Sequence, residues 1–322
     1  MIMKCILCIM MIVAVAGRVC GQNEAPTREW HVTLKVVDEA GASVQGAKAS
    51  ISYAVAPSAG QPRDSRASES ITGFTDGNGG FEASHRDRSI SLSLAVQKEG
   101  FYQNYVVVEL GPASRREPIK WIPSETILLK KIVQPIPMYA KKIRAAETPQ
   151  IKNKTMGYDF IIGDWIAPYG RGQKADITFL DEFHGKAPYD YLSRLTVSFP
   201  NAGDGIQEFD VPYPIMQGSQ LRSAHQAPTA GYQPQLIKEA SAHPGQPNKP
   251  SDYDESRGYF IRVQTILDSN GNVKSALYGK LYGDFMQFTY YLNPTPNDRN
   301  VEFDPNQNLL QNLPPADQVT AP

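Results

Sequence analysis

The residues best suited to chemistry lie between positions 157 and 172 and just beyond, in a stretch dense in aromatic, glycine and acidic residues. Asp164 and Asp176 are carboxylates that could act as the acid and base of glycoside hydrolysis. Trp165 and Tyr169 flank a proline-containing turn. Exposed aromatic rings of this kind stack on pyranose rings, while acidic side chains bind the hydroxyls. The alternative is that these rings fill a β-sheet core, as aromatic residues commonly do.

A second set of polar residues, His184 with Asp181 and Glu182, could ligate a metal ion or lie in an exposed loop. The five histidines form no i, i+4 pair. The chain has neither the Gly-x-Ser-x-Gly elbow of hydrolases nor a phosphate-binding Gly-Lys-Ser/Thr motif. The sequence therefore predicts no cofactor, no metal and no catalytic nucleophile.

Residues 73–81 contain two successive Asx-Gly pairs between apolar residues, which is the strongest short signal for a tight hairpin turn. Asp76 and Asn78 also resemble the start of a calcium loop. The fifth, sixth and twelfth positions of that loop hold Gly80, Phe81 and Asp87, whereas calcium needs a ligand, a glycine and a glutamate there. The pattern favours a hairpin over a calcium site, with Phe81 in the core.

The composition of the 322 residues, 41% apolar and 20% charged, is that of a globular protein with room for two domains. The formal net charge is −1. A chain this close to neutrality has no field that would attract nucleic acid or an anionic membrane. We therefore expect neither as a partner.

The first 21 residues have the pattern of a signal peptide. Lys4 precedes an apolar run over residues 5–17, which is too short to span a bilayer comfortably. Cleavage before Gln22 would leave no cysteine and no transmembrane span in the mature chain, which would be periplasmic or extracellular. Lipidation of Cys20 is the alternative. All three cysteines precede the cleavage point: Cys5, Cys8 and Cys20.

Alternating apolar and polar residues predict short strands near positions 29–36, 47–54, 90–96, 105–110 and 125–130. Strands of this length, separated by turn signals, are typical of a β-sandwich. Residues 36–47, 75–81 and 98–102 then resemble the successive motifs of the carboxypeptidase regulatory-like domain. That resemblance covers residues 29–131 and implies a transthyretin-like sandwich without catalytic residues. The sequence departs from the family pattern at Ser43, where proline is common, and in a long loop at 55–70.

Residues 132–156 are predicted to be a linker, because Pro135 and Pro137 argue against a central strand. The linker contains a basic run, Lys141, Lys142 and Arg144, which is either a solvated surface or a binding site. A second β-rich domain is predicted over 157–303 and a flexible tail over 304–322. This second part resembles uncharacterised exported bacterial proteins.

The predicted fold is all-β, with two antiparallel β-sandwich-like domains in tandem. The predicted function is that of an exported, non-catalytic binding or structural protein, which would recognise a glycan or a protein partner. The alternative is a hydrolase of polysaccharides that uses acidic residues of the second domain.

Overall fold

The computed structural model describes residues 28–55, 67–87, 89–110, 124–149, 151–186, 190–211, 217–250 and 257–322. The predicted signal peptide, its cleavage point and the three cysteines lie outside these residues. The described chain is nearly all β, as predicted, with one short 3₁₀ turn at Ala145–Glu147. Within the described part, no helix is both long enough and apolar enough to cross a membrane.

The N-terminal part is a sandwich of two sheets built from the first seven strands. One sheet has the order β4-β1-β7 and the other has the order β6-β5-β2-β3. β1 and β7 are parallel, which departs from the purely antiparallel arrangement predicted. The strands are β1 Arg28–Asp38, β2 Lys48–Val55, β3 Ala67–Phe74, β4 Gly80–Asp87, β5 Ser91–Gln97, β6 Asn104–Glu109 and β7 Ser124–Leu129.

The alternation in β1 determines which side chains enter the core of this sandwich. Trp30, Val32 and Leu34 are fully buried, whereas His31 and Thr33 between them are partly exposed. Successive side chains of a strand point to opposite faces of the sheet. The period-two pattern read from the sequence is therefore confirmed as a half-buried strand.

One turn sequence recurs three times in the molecule and begins at Asp38, Asp76 and Asp268. In each turn, one carboxylate oxygen accepts hydrogen bonds from the backbone N–H groups two and four residues later. The fourth residue is a glycine with a φ between +74° and +80°, a conformation that glycine adopts without strain. Asp76 therefore organises a turn with its carboxylate.

The turn at Asp76 does not join a hairpin, and that prediction is wrong. β3 pairs with β2 in one sheet, whereas β4 pairs with β1 in the other. The connection therefore crosses from one sheet of the sandwich to the other. Phe81 is only partly buried, and its ring lies against Gly73, where any larger residue would collide with it.

The C-terminal part is a larger sandwich. Its five-stranded sheet has the order β10-β9-β11-β12-β15, and its six-stranded sheet has the order β13-β16-β17-β18-β8-β19. The strands are β8 Ile136–Ile143, β9 Thr155–Asp159, β10 Asp164–Trp165, β11 Ile177–Lys186, β12 Asp190–Ser198, β13 Gly205–Asp210, β14 Gly218–Ser219, β15 Gln235–Ala242, β16 Arg257–Leu267, β17 Val273–Gly283, β18 Phe288–Leu292 and β19 Phe303–Asn308.

The segment predicted to be a linker contains β8, which lies between β18 and β19 inside the six-stranded sheet. Pro137 is tolerated there because the ladder with β18 begins only at Tyr139. The predicted flexible tail also differs from expectation. It contains most of β19, and Asp317 and Val319 within it are buried.

Candidate functional site

Trp165 is buried in the core of the C-terminal sandwich. The sequence had suggested that its ring could be exposed and stack on a sugar. Its side chain is 5% exposed, and its ring packs against Tyr158 and Phe179 at centroid distances of 5.1 and 5.6 Å. Aromatic pairs at these distances stabilise a core. Trp165 therefore does not form an exposed stacking surface.

Asp164 and Tyr169 belong to the turn beside Trp165. The Asp164 carboxylate accepts hydrogen bonds from the backbone N–H groups of Trp165 and Arg171, at 2.8 and 3.0 Å. These bonds close a loop that contains a cis peptide bond before Pro168. Tyr169 is partly buried against the same core. The arrangement holds the backbone turn in place.

Asp176 is only 1% exposed. It accepts hydrogen bonds from the backbone N–H of Phe160 and from Nε2 of Gln264, both at 3.0 Å. Burial raises the pKa of Asp176 to about 6, although both hydrogen bonds act in the opposite direction. Neither Asp164 nor Asp176 lines a cavity described below. Because its carboxylate is buried and already engaged by two donors, Asp176 is not open to a glycosidic bond.

Asp181, Glu182 and His184, weighed above as alternative metal ligands, are not placed to hold a metal ion together. Asp181 forms an ion pair with Lys152. Over the described ranges, no group of three or more His, Cys, Asp or Glu side chains is placed to hold a metal ion.

Aromatic residues and a lysine are aligned on the outer face of the six-stranded sheet, which is the face turned away from the C-terminal core. Cross-strand pairing aligns Phe209, Gly258 and Tyr282 in one row. A neighbouring row aligns Phe260, Lys280 and Tyr291. Because paired residues project to the same side, both rows lie on this outer face.

The aromatic rings of the outer face are packed against one another. Phe209 contacts Phe260 at a centroid distance of 4.4 Å and Tyr282 at 6.0 Å. Gly258 makes this possible, since a side chain at that position would collide with the Phe209 ring. The outer face thus presents an aromatic floor.

A cavity of about 480 Å³, here called the interface groove, lies between this floor and the N-terminal sandwich. β14 forms one side of it and pairs with β6, so the C-terminal part adds a strand to the N-terminal sheet. The groove is lined by Glu39, Asn104, Leu128, Lys130, Phe209, Asp210, Val211, Gln217, Gly218, Ser219, Leu221, Arg222, Ala224 and Phe260.

Two lining residues of the groove carry buried polar atoms without a hydrogen-bond partner. These atoms are Oδ1 of Asn104 and Oγ of Ser219, and the two residues are paired in the β6–β14 ladder. The amide nitrogen of Asn104 is already used, since it donates to the carbonyl of Leu128 at 2.7 Å. A buried polar atom without a partner costs about 1–3 kcal/mol. Such atoms therefore indicate a place where a polar ligand would be stabilised.

Two lysines meet at Ser223 beside the groove. Lys280 is fully buried, with Nζ 3.3 Å from Oγ of Ser223 and 4.7 Å from the centre of the Tyr291 ring. Lys130 donates to the Ser223 carbonyl at 2.7 Å. Burial and, to a lesser degree, the charge of Lys130 together lower the pKa of Lys280 to about 7, against a smaller opposing effect of Glu302. Burial also lowers the pKa of Lys130.

Glu302 connects the two sandwiches. Its carboxylate accepts hydrogen bonds from the backbone N–H groups of Val133 and Gln134 and from the Tyr102 hydroxyl, at 2.7–2.9 Å. It also lies 3.2 Å from Nδ1 of His225. Burial acts to raise the pKa of Glu302, but these hydrogen bonds together leave it lowered. The carboxylate is therefore held in its charged form by its donors.

None of these groove residues was singled out from the sequence. In the structure, residues 276–282 of the strand Val273–Gly283 are buried on both faces. A strand of this kind must be covered on two sides, which implies a third layer over the six-stranded sheet.

Comparison with known proteins adds little about activity. No protein-family model matches the chain, and no curated protein sequence matches it. Among solved structures, a 3-chlorocatechol 1,2-dioxygenase from Rhodococcus opacus aligns with 15% identity over 34% of this chain, at a TM-score of 0.25. The alignment spans 63% of the dioxygenase, less than two thirds of its length.

Two structures from Bacteroides align over more of the chain. A candidate membrane-associated protein of unknown function from Bacteroides fragilis aligns with 11% identity over 84% of this chain and 99% of its own, at a TM-score of 0.20. A candidate carbohydrate binding protein from Bacteroides uniformis covers the same shares with 9% identity and a TM-score of 0.21. Similarity this low establishes neither a family nor a shared activity.

Proposed function

We propose that the chain is an exported binding protein and that the interface groove is its ligand site, with a saccharide as the ligand. The observation that carries this proposal is the combination of an aromatic floor with the unsatisfied polar atoms of Asn104 and Ser219 in one cavity. Export rests on the signal-peptide pattern of the first 21 residues. Residues 29–131 are proposed to be a carboxypeptidase regulatory-like domain that forms one wall of the site.

The chemistry of a sugar ring fits this groove. A pyranose presents C–H groups on its faces, which pack on aromatic rings such as Phe209, and hydroxyls at its rim, which both donate and accept hydrogen bonds. The Oδ1 of Asn104 accepts, and the Ser219 hydroxyl can do either. The hydrolase alternative has no comparable support, because Asp176 is buried.

The test is a thermal-shift screen of the protein with neutral xylo-, cello- and malto-hexaose, followed by calorimetric titration of any hit. A ligand present at about one hundred times its Kd adds about 2.7 kcal/mol of stability, which is a shift of several degrees for a protein of this size. Phe209→Ala is expected to abolish binding, and Ser219→Ala to weaken it about fivefold.

Ser269→Ala is the matched control, since Ser269 is exposed in the turn between β16 and β17. Its affinity should equal that of the wild type. Binding that survives Phe209→Ala and Ser219→Ala in folded proteins would place the ligand elsewhere and refute the assignment of the groove.

A further inference from the structure

We propose that the saccharide bound in the interface groove carries a carboxylate, as a uronate does, and that Lys130 binds this carboxylate. The inference rests on the proposed function, because it specifies the ligand class of the same groove. Two observations support it: positively charged side chains lie beside the groove, and the nearby carboxylates are bound to other partners.

The positive charge comes from Lys130, Lys280 and Arg222. Lys130 and Arg222 line the groove, and Lys280 lies behind it, on the other side of Ser223. The hydrogen bonds found for the two ammonium groups lead to neutral oxygens of Ser223. The two lysines also repel each other, which contributes to the lowered pKa of Lys280.

The carboxylates nearest to these lysines are already engaged. Glu302 accepts from two backbone N–H groups and the Tyr102 hydroxyl, and it contacts His225. The other ring nitrogen of His225 lies 3.2 Å from Glu39. Asp210 has a largely exposed side chain and pairs with Arg257 at 3.4 Å. Within the described part of the chain, no carboxylate forms an ion pair with Lys130 or Lys280.

Two amines held near each other at a cavity wall, with neutral hydrogen-bond acceptors, favour the entry of an anion. An interaction between a carboxylate and an ammonium is stronger in such a partly desolvated site than in water. Of the two lysines, Lys130 is the one that can make it, because Lys130 lines the groove whereas Lys280 is fully enclosed. Lys280 contributes through its charge and is not a contact residue. A uronate brings its carboxylate together with the ring faces and hydroxyls that the rest of the groove accommodates.

The test compares each acidic oligosaccharide with its methyl ester, in which every carboxyl group loses its charge and gains a methyl group. The probes are oligomers of galacturonate, guluronate and mannuronate, titrated calorimetrically into the wild-type protein alongside the neutral hexaoses. The acid of at least one pair should bind about tenfold more tightly than its ester, the difference expected from one charge-assisted hydrogen bond. The preference should decrease as salt is added.

Lys130→Met should remove the preference, so that this variant binds acid and ester with equal affinity, whereas Lys130→Arg should retain it. Lys131→Met is the matched control, because the neighbouring Lys131 is mostly exposed and pairs with Asp38 instead. This variant should keep the full preference for the acid.

Three outcomes would overturn the inference alone, and a fourth would overturn the proposed function with it. Equal affinity of wild type for acids and esters would refute the carboxylate and leave saccharide binding intact. A preference that survives Lys130→Met would refute the role of that lysine. Neutral hexaoses that bind while every acid fails would refute the ligand class, and failure of every saccharide would refute the proposed function itself.

Discussion

Both faces of the six-stranded sheet are rich in aromatic residues, but the rings of the inner face fill a closed core whereas those of the outer face lie beside a cavity. On the inner face, Tyr259 and Tyr290 pack against the five-stranded sheet in a closed core. On the outer face, Phe209 and Tyr282 pack beside a cavity, a buried lysine and unsatisfied polar atoms. Burial of aromatic rings alone therefore does not distinguish a core from a site. The fully buried ammonium of Lys280 on the outer face makes that distinction.

The largest expected effect is on the inner face. Phe179→Ala removes a fully buried ring that contacts Trp165, Phe285 and Phe288. We expect a loss of about 3–5 kcal/mol in the free energy of unfolding, measured by urea denaturation. Phe209→Ala on the outer face should cost clearly less, because its ring is partly exposed. Equal losses for the two variants would contradict the difference between the faces.

The next largest effect is expected on the outer face, where a substitution should increase the free energy of unfolding. Lys280→Met replaces a buried ammonium by an apolar side chain of similar length, so we expect the protein to gain about 1–4 kcal/mol at pH 6. The pKa of Lys280 is lowered from 10.5 to about 7, so its contribution to stability is present above pH 10.5 and is lost as the pH falls through 7.

The gain from Lys280→Met should therefore be largest below pH 7 and shrink towards pH 10, as measured by denaturation at several pH values. Lys274→Met, at an exposed position of the same strand, serves as the control. A loss of stability for Lys280→Met at pH 6 would mean that Lys280 is held by a favourable interaction.

A smaller effect is expected at Asp176. Its stabilising contribution is lost as the pH rises, whereas that of Lys280 is lost as the pH falls. The pKa of Asp176 is raised from 3.8 to about 6, so its contribution is fully present below pH 3.8 and is lost as the pH rises through 6. Asp176→Asn should therefore stabilise the protein by about 2 kcal/mol at pH 7.5 and have little effect at pH 4. Gln264 can turn its amide to match the new side chain. An effect of equal size at both pH values would exclude titration of Asp176 as the cause.

The smallest stability effect is expected at Ser219. Because its Oγ is buried without a hydrogen-bond partner, Ser219→Ala should change the free energy of unfolding by less than about 0.5 kcal/mol. Saccharide affinity should fall nevertheless. A large loss of stability would show that Oγ has a structural partner and would weaken the case for the groove.

The fold class could be predicted from the sequence because it depends on local patterns. The alternation from Trp30 to Val36 and the turn chemistry at Asp268 both act within a few residues, and both are confirmed. The turn at Asp76 is as strong a signal, but turn chemistry does not determine whether the two strands pair with each other. Pro137 led to the incorrect prediction of a linker. A proline excludes a strand only where its missing N–H is needed, and the ladder of β8 with β18 begins beyond it, at Tyr139.

The candidate site could not be predicted, because it depends on long-range register. Trp165 and Phe209 are both aromatic residues in short strands or next to turns, and nothing local indicates which one faces a cavity. The burial of Lys280 could not be predicted from the sequence either. It results from the position of β17 between β16 and β18 in the folded sheet. Site prediction failed where side chains from distant positions had to be combined.

The most direct test of the groove as the ligand site is a titration of the isotope-labelled protein with saccharide, followed by backbone amide NMR. We predict that the largest shifts occur at Asn104, Phe209 and Ser219, with little change at Asp164 and Trp165. Shifts centred on Trp165, or a bound saccharide that leaves the groove residues unperturbed, would contradict the assignment of the outer face as the functional surface.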